Sequence, residues 1–543
     1  MDFLKIVLGL LLLGACGQDE APPAANPGDP METPLPGDCL GPASDSPLVF
    51  VDVALEAGVR QDGINMGIGA EDWDGDGDLD VILAGASPQT VYFSNRGDGT
   101  FEEAPAPPFF SGSATGVSSP DWDGDGDPDL YISCGEWGGG CASQLYRNDG
   151  IDPSGHPIFT NVTQQVGMHN PGPSNFGGNW ADYDRDGDLD LFQGTKALDG
   201  VSAPPEDLLY RNDGGTFVEA AVSAGVNMSS HSHQGVWLDY DEDGFPDLYL
   251  PTLDGDNHLL HNEGDGTFVE VTPPGMEKPF VAFAAAAGDF DNDGHVDLLV
   301  SGRTDPGGSE QHGLFLSDGA GGWTDASMGT GLNDQGDPAT GIGTMGLHVA
   351  DLDRDGYLEV IFGNGSPNAG EVNAIGSFAP GGPLGVHWVN RTEVFDSPPP
   401  SASGGPPYPF RTHGMVAFDY DGDGDTDLMM GNGGGPVSEP IRLWRNDASP
   451  ANSWVEVELR GNVPLGVGAR VRVSDGPPAT ATWAAHRFAW QTGGFNSSRP
   501  STVTVGTGRC QGPYYVTVTW PDGHVQAFAD VPARQKSTLS RAP

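Results

Sequence analysis

Positive charge is what this chain has least of: 23 Lys and Arg stand against 77 Asp and Glu, for a formal charge of −54. A surface of that sign repels nucleic-acid phosphates and anionic headgroups, so nucleic acid and direct lipid binding are excluded as partners. Cysteine is scarce, five in 543 residues, and no C-x-x-C pair occurs, which argues against a thiolate metal site. Long apolar runs are missing too. The run Ile6 to Leu13 is too short to span a bilayer, and nothing after it qualifies. The chain also lacks G-x-S-x-G, H-E-x-x-H and a P-loop, the short signatures of common hydrolases and nucleotide enzymes. Gly (83) and Pro (47), by contrast, are each at about twice their usual share.

Such a composition without periodicity would mean disorder, but here there is a period. The pattern D-x-D-x-D-G-x-x-[DE] occurs seven times, starting at Asp72, Asp121, Asp182, Asp239, Asp289, Asp351 and Asp419, at intervals of 49 to 68 residues. That interval fits one four-stranded propeller blade with loops of varying length. The pattern itself suits calcium, which takes six to eight oxygen ligands and needs several carboxylates and a backbone carbonyl converging on one point. Positions 1, 3, 5 and 9 supply side chains, the Gly at 6 permits the sharp turn, and position 7 supplies a carbonyl.

The expected ligands are Asp72, Asp74, Asp76, Asp78 and Asp80 in the first loop, and Asp121, Asp123, Asp125, Asp127 and Asp129 in the second. The third has Asp182, Asp184, Asp186, Asp188 and Asp190; the fourth Asp239, Asp241, Asp243, Phe245 and Asp247. The fifth has Asp289, Asp291, Asp293, His295 and Asp297; the sixth Asp351, Asp353, Asp355, Tyr357 and Glu359; the seventh Asp419, Asp421, Asp423, Asp425 and Asp427. About seven Ca²⁺ sites are therefore expected, with Glu359 a conservative departure. An EF-hand would require Glu at position 12 and a following helix. Position 12 holds Leu83, Ile132, Gln193, Leu250, Val300, Phe362 and Met430, and short strand-like runs follow, so these are loops between strands.

Between the loops each unit repeats a third strand ending in an Asn-rich turn and a fourth starting at an aromatic, as in Tyr92 to Phe101, Leu209 to Phe217 and Leu260 to Phe268. Asn and Gly suit the positive φ of tight hairpins. The triplet Arg96-Gly97-Asp98 occupies this turn slot and reads as structure, not as an adhesion signal. The seventh unit lacks a fourth strand, while an orphan of that type, Phe50-Val51-Asp52-Val53, precedes the first loop. It is predicted to complete the last blade and leave no open sheet edge. After Asn446 the acidic loops stop and alternating β patterns appear at 454–459, 469–473 and 515–520, which fits a separate small β domain. The expected fold is all-β: a seven-bladed β-propeller with calcium loops over 48–447, then a small C-terminal β domain over 448–543.

These loops and blades resemble the FG-GAP/VCBS repeats of integrin-α-type propellers. The tail, with Val467-Gly468-Ala469-Arg470-Val471, Gly493-Gly494-Phe495 and Trp520-Pro521-Asp522-Gly523, is similar to the ASPIC/UnbV domain. It departs from the usual pattern where Arg499-Pro500 follows Asn496-Ser497-Ser498. The resemblance implies calcium binding, export and an extracellular interaction role, and it assigns no reaction.

The N-terminus reads as an export signal over 1–15, with Lys5 before the apolar run. Leu13-Gly14-Ala15-Cys16 resembles a bacterial lipobox, which makes Cys16 the expected lipidation site; the alternative is an ordinary signal peptide cleaved near Ala15. Gly17 in place of Asp favours the outer membrane or cell surface, and 16–47, rich in Pro, Gly and Ala, reads as a flexible tether. In an oxidising compartment Cys134 and Cys141 are placed to staple one hairpin, which leaves Cys39 and Cys510 to pair by elimination.

His233 and His413 each lie six residues before a loop, with His231 and His348 nearby; the same register elsewhere holds Met66, Thr115, Phe176, Phe283 and Met345. A pair of imidazoles at one channel mouth suits metal binding or acid–base work, whereas the apolar company suggests packing. Two function classes follow. The first is a non-catalytic, calcium-stabilised surface module, monomeric, that binds an extracellular protein or glycan. The alternative is a propeller enzyme, a lyase, hydrolase or oxidoreductase acting on an exported polysaccharide-type substrate.

Overall fold

The computed structural model describes residues 48–542 apart from 88–89, 105–113, 136–141, 170–174, 197–205, 229–230, 254–255, 277–280, 304–311, 334–343, 365–372, 396–410, 434–438, 448–451, 462, 491, 495–496 and 499. The signal, the tether, Cys16, Cys39 and Cys141 lie outside the described residues. Cys134 and Cys510 are both disulfide-bonded.

Seven antiparallel sheets follow one another along the chain as blades. Blade 1 comprises Asp62–Glu71, Asp80–Ser87, Val91–Asn95 and Phe101–Glu103, and each aspartate loop joins the innermost strand of its blade to the second. In blade 7, Phe50–Asp52 is the outer strand, with Phe50 opposite Asn446 and Asp52 opposite Trp444. The ring is thus closed by its own N-terminal strand, as the strand count requires. Side chains stand at the strand period of two, and the inner strands use glycine where blades meet. A Cβ on Gly346 would lie 2.3 Å from the carbonyl of His413, so blades 6 and 7 approach this closely only without one.

Between blades the contacts are aromatic. The residue at loop position 2 is buried in every loop, from Trp73 through Tyr420. It packs on the fourth-strand aromatic of the next blade: Trp122 on Phe217, Tyr183 on Phe268, Tyr240 on Trp323 and Tyr420 on Phe101, with ring centroids 5.5 to 6.1 Å apart.

The tail has its own core, including Val457, Val471, Val505, Val516 and Trp520, between a three-stranded sheet (Val503–Gly508, Ser453–Arg460, Lys536–Ser540) and a four-stranded one (Ala484–Phe488, Arg470–Ser474, Tyr514–Thr519, Val525–Val531). It sits on the loop rim, and a short hairpin, Thr492–Gly494 and Ser497–Ser498, leaves that core and enters the ring. Ser498 pairs in parallel with Gly69 of blade 1, and Ser497 Oγ accepts from the Ile68 N–H at 3.2 Å. The hairpin touches the inner strands of blades 1, 2, 5, 6 and 7. The tail is a small β domain with its own core, and this hairpin docks it in the ring. Glycines and serines make a hairpin thin enough for the channel, and there it extends the sheet of blade 1.

Candidate metal centres

Each loop is held by the same internal hydrogen bonds. The position-7 N–H donates to Oδ1 of the position-5 Asp in all seven, at 2.7 to 3.0 Å. Gly at position 6 has φ between 85° and 101°, which a side chain would resist. In six loops its N–H donates to Oδ2 of the first Asp, at 2.8 to 3.2 Å. The backbone thereby turns the carboxylates inward onto one another. Asp72, Asp74 and Asp76 have ligand atoms within 4.8 Å of each other; so do Asp121, Asp123 and Asp129, Asp182, Asp184 and Asp190, and Asp239, Asp241 and Asp243.

The donor set fits a hard cation. Oδ1 of Asp72, Asp121, Asp182 and Asp239 is buried with no hydrogen-bond partner, as is Oδ1 of Asp351, whose other oxygen is ion-paired with Arg487. A buried carboxylate oxygen without a donor costs free energy that a cation would recover. Proton affinity gives the same sign. Burial, and then neighbouring carboxylates, push Asp182, Asp239, Asp289 and Asp419 up to about 7. Without a metal these groups hold protons; with Ca²⁺ the charge has a partner. Bound there, Ca²⁺ would supply the fixed positive charge that lets the acids stay ionised.

The acid at position 9 carries a second duty that the loop pattern alone does not reveal. In blades 2, 3, 4, 5 and 7 one oxygen accepts the position-2 N–H, and the other accepts a backbone N–H at the end of the third strand, as Asp129 does from Trp122 and Asn148. It pins loop to sheet as well as facing the cluster. Burial drives Asp129 and Asp247 up to about 9.

Three roles escaped the sequence reading. The recurrent Asn is a latch rather than a φ-tolerant turn residue. Positive φ belongs to the following glycines, such as Gly97 and Gly99, while Asn Nδ2 donates to the position-2 carbonyl of the preceding blade's loop. Asn95 reaches Tyr420, Asn148 Trp73, Asn212 Trp122, Asn262 Tyr183 and Asn446 Leu352, at 2.8 to 3.0 Å. Position 2 thus serves as core aromatic and latch acceptor together. Position 4 also has positive φ throughout: Gly75, Gly124 and Gly422, but Arg185, Glu242, Asn292 and Arg354 in loops three to six. These four reach the position-7 residue of the next loop or its neighbour: Arg185 lies over Phe245, Glu242 meets His295 at 2.6 Å, Asn292 donates to the Gly356 carbonyl, and Arg354 pairs with Asp425. The glycines at this position in three loops were the available signal.

The histidines sort toward packing. His233 is buried between Phe176 and Phe283, with ring centroids at 4.4 and 4.9 Å, so the equivalent registers of blades 3, 4 and 5 pack together. His348 Nε2 accepts from the Ala417 N–H at 3.2 Å. Burial holds His413 down at about 4, hence neutral.

Family models match both the loop repeats and the tail. A family model described as FG-GAP-like repeat matches residues 72–132, 121–192 and 239–300, and one described as ASPIC and UnbV matches 459–543. The chain is 27% identical over 342 residues to cartilage acidic protein 1 of Homo sapiens, covering 62% of this chain and 44% of that one. It is also 27% identical over 301 residues to the Mus musculus protein, covering 54% and 42%. The chain thus spans less than half the length of the curated relatives it matches. Among solved structures, BBS1N in complex with ARL6DN overlaps 74% of this chain and 97% of its own at 9% identity, with a TM-score of 0.41. AofleA from Arthrobotrys oligospora overlaps 61% and 90% at 12% identity, with a TM-score of 0.35. No helix among the described residues is long and apolar enough to cross a membrane.

Proposed function

From a chain that carries FG-GAP-like repeats and an ASPIC and UnbV domain, we propose a calcium-stabilised, non-catalytic module that is exported, anchored at Cys16, and binds an extracellular protein or glycan. The observation that carries the calcium reading is the recurrence, in loops one to four, of one orphaned, buried carboxylate oxygen at the first Asp. Disulfide-bonded Cys134 and Cys510 support an oxidising compartment. The docked tail supports a binding role, because it joins rim and channel into one continuous surface. A cleft of about 610 Å³ between loops three and four and the tail sets Arg185, Arg470 and Arg472 beside Asp239, Glu242 and Asp522. Guanidinium and carboxylate groups side by side suit the hydroxyl groups of a sugar or a polar peptide.

Metal analysis of the purified protein, followed by binding to a panel of acidic and neutral oligosaccharides in calcium and in chelator, tests the proposal. Bound calcium with oligosaccharide binding that chelation abolishes is the expected result. Absence of bound metal at millimolar calcium would overturn the calcium reading, and turnover of a panel member would overturn the non-catalytic one.

A further inference from the structure

Loop six follows the common pattern but is built differently. The position-5 Asp is exposed in the other loops, whereas Asp355 is 4% exposed, beside Asp351 and Asp353 at 5% and Glu359 at 0%. Oδ2 of its first Asp does not receive the glycine N–H used elsewhere. It accepts instead from the Gly506 N–H at 2.9 Å and from Arg487 Nη2 at 2.7 Å, both from the tail. Within the loop, the buried Arg391 places Nη1 2.5 Å from Asp353 Oδ2 and 3.7 Å from Glu359 Oε1.

Arg391 has a definable register. It follows the fourth strand, where its N–H donates to the Ile375 carbonyl. The residues making the same backbone bond in the other blades are Ala104, Val162, Ala220, Val271, Ala326 and Val53, all small and uncharged. Blade 6 alone among these puts a cation at the position that looks into the loop. Its Asn-latch register is also changed. Phe378 stands there, packing edge-on against Phe290 of loop five at 5.7 Å.

Resting on the calcium reading of the other six loops, we infer that loop six takes no calcium: the guanidinium groups of Arg391 and Arg487 are its resident cations, and Arg487 clamps the tail onto the propeller independently of metal. The charge matches, since two guanidinium groups carry what one Ca²⁺ would. The geometry matches as well, because Arg391 occupies the acids at positions 3 and 9 while Arg487 and Gly506 occupy the acid at position 1. Asp351 Oδ1, Asp355 Oδ2 and Glu359 Oε1 accept no hydrogen bond, but Asp351 and Glu359 are each ion-paired with a guanidinium group. Further donors from the tail engage two backbone carbonyls of the loop. Asn452 Nδ2 reaches the Asp353 carbonyl at 2.8 Å, and the Gly508 N–H reaches the Arg354 carbonyl at 2.8 Å.

Calcium counting by native mass spectrometry on the full chain tests this, comparing Asp74→Asn in loop one with Asp353→Asn in loop six. Asp74→Asn is expected to lower the bound count by one and Asp353→Asn to leave it unchanged; a loss of one ion from Asp353→Asn would overturn the inference. If Asp353→Asn does not fold, hydrogen exchange on the unaltered protein decides. Chelation should raise exchange in 80–87 at least tenfold while leaving 503–508, which contains the Gly506 donor, unchanged. Equal loss of protection in both segments would overturn the clamp. No calcium in any variant would instead remove the calcium reading of the other loops and leave the guanidinium assignment in place.

Discussion

Loop one and loop six share a nine-residue pattern, a backbone conformation and an orphaned Oδ1 on the first Asp, yet one is open to solvent and the other is sealed under the tail with two arginines inside it. The difference shows that the pattern specifies a convergent set of acids and leaves the neutralising charge to be settled by residues far away in sequence. Arg391 is 32 positions beyond the loop it serves, and Arg487 comes from another sheet system altogether. Loop one should therefore respond to metal and loop six should not.

Withdrawing calcium is the largest way to open that gap. At tenfold excess over Kd each filled site contributes about 1.4 kcal/mol, so six loops together amount to roughly 8 kcal/mol. The remaining stability should then depend on pH with a definite sign. The metal-free loop acids titrate above their ordinary value, Asp74 at about 6 and Asp80 at about 8, because burial opposes their charge. A group raised in the folded state stabilises below its unfolded value near 4 and loses that contribution as pH rises through the folded one. In chelator the melting temperature should fall from pH 5 to pH 8. In saturating calcium it should hold or rise over the same range, since protons compete with the metal. Scanning calorimetry in the two buffers reads both slopes, and parallel slopes would mean that these acids do not face a metal.

The second way acts on loop six alone. Arg391→Met keeps much of the side-chain volume and leaves Asp353 and Glu359 buried without their cation, a loss of about 3 to 5 kcal/mol. In chelator the full loss should appear by denaturant unfolding. Calcium should restore part of it, because the variant site is then carboxylate-rich like loop one. A loss below 1 kcal/mol would mean that the pair is not what neutralises the loop.

The latches give an intermediate effect. Asn212→Ala removes the donors to the Trp122 carbonyl at 3.0 Å and the Leu189 carbonyl at 3.3 Å, both buried. Leaving them unsatisfied should cost about 1 to 3 kcal/mol in calcium and in chelator alike, because the substitution keeps the backbone bond to Asp190 and removes only the side chain, whose amide donates to carbonyls and not to the cluster acids.

Much of this was legible from the chain. A repeated ligand pattern is local, so seven loops could be located, and the orphan strand at Phe50 followed from strand counting alone. The latch, the position-2 aromatic and the filling of loop six depend on register between blades. Nothing within one repeat states that Asn148 faces the Trp73 carbonyl or that Arg391 stands where Ala104 stands in blade 1. Likewise Gly493-Gly494 and Ser497-Ser498 read as tail motifs, and only the packed ring shows that a thin segment has a channel to enter. Local chemistry announced the candidate ligands; their partners required the tertiary fold.

The smallest effect is expected at position 4, and it separates the two halves of the rim. Arg185 sits at φ 61°, a conformation that costs a non-glycine residue about 1 kcal/mol, and its guanidinium lies 4.7 Å from the Phe245 ring centre. Arg185→Gly removes that strain, but it gives up an exposed cation–π contact of about 0.5 to 1 kcal/mol and loosens the unfolded chain by a similar amount. The terms nearly cancel, so stability should move by less than about 1 kcal/mol in either direction. Arg354→Gly makes the same backbone change where the side chain is buried and paired with Asp425. There the lost ion pair outweighs the relief, and the variant should be clearly less stable by denaturant titration. If the two variants behaved alike, backbone strain rather than the partner of the side chain would be what position 4 contributes.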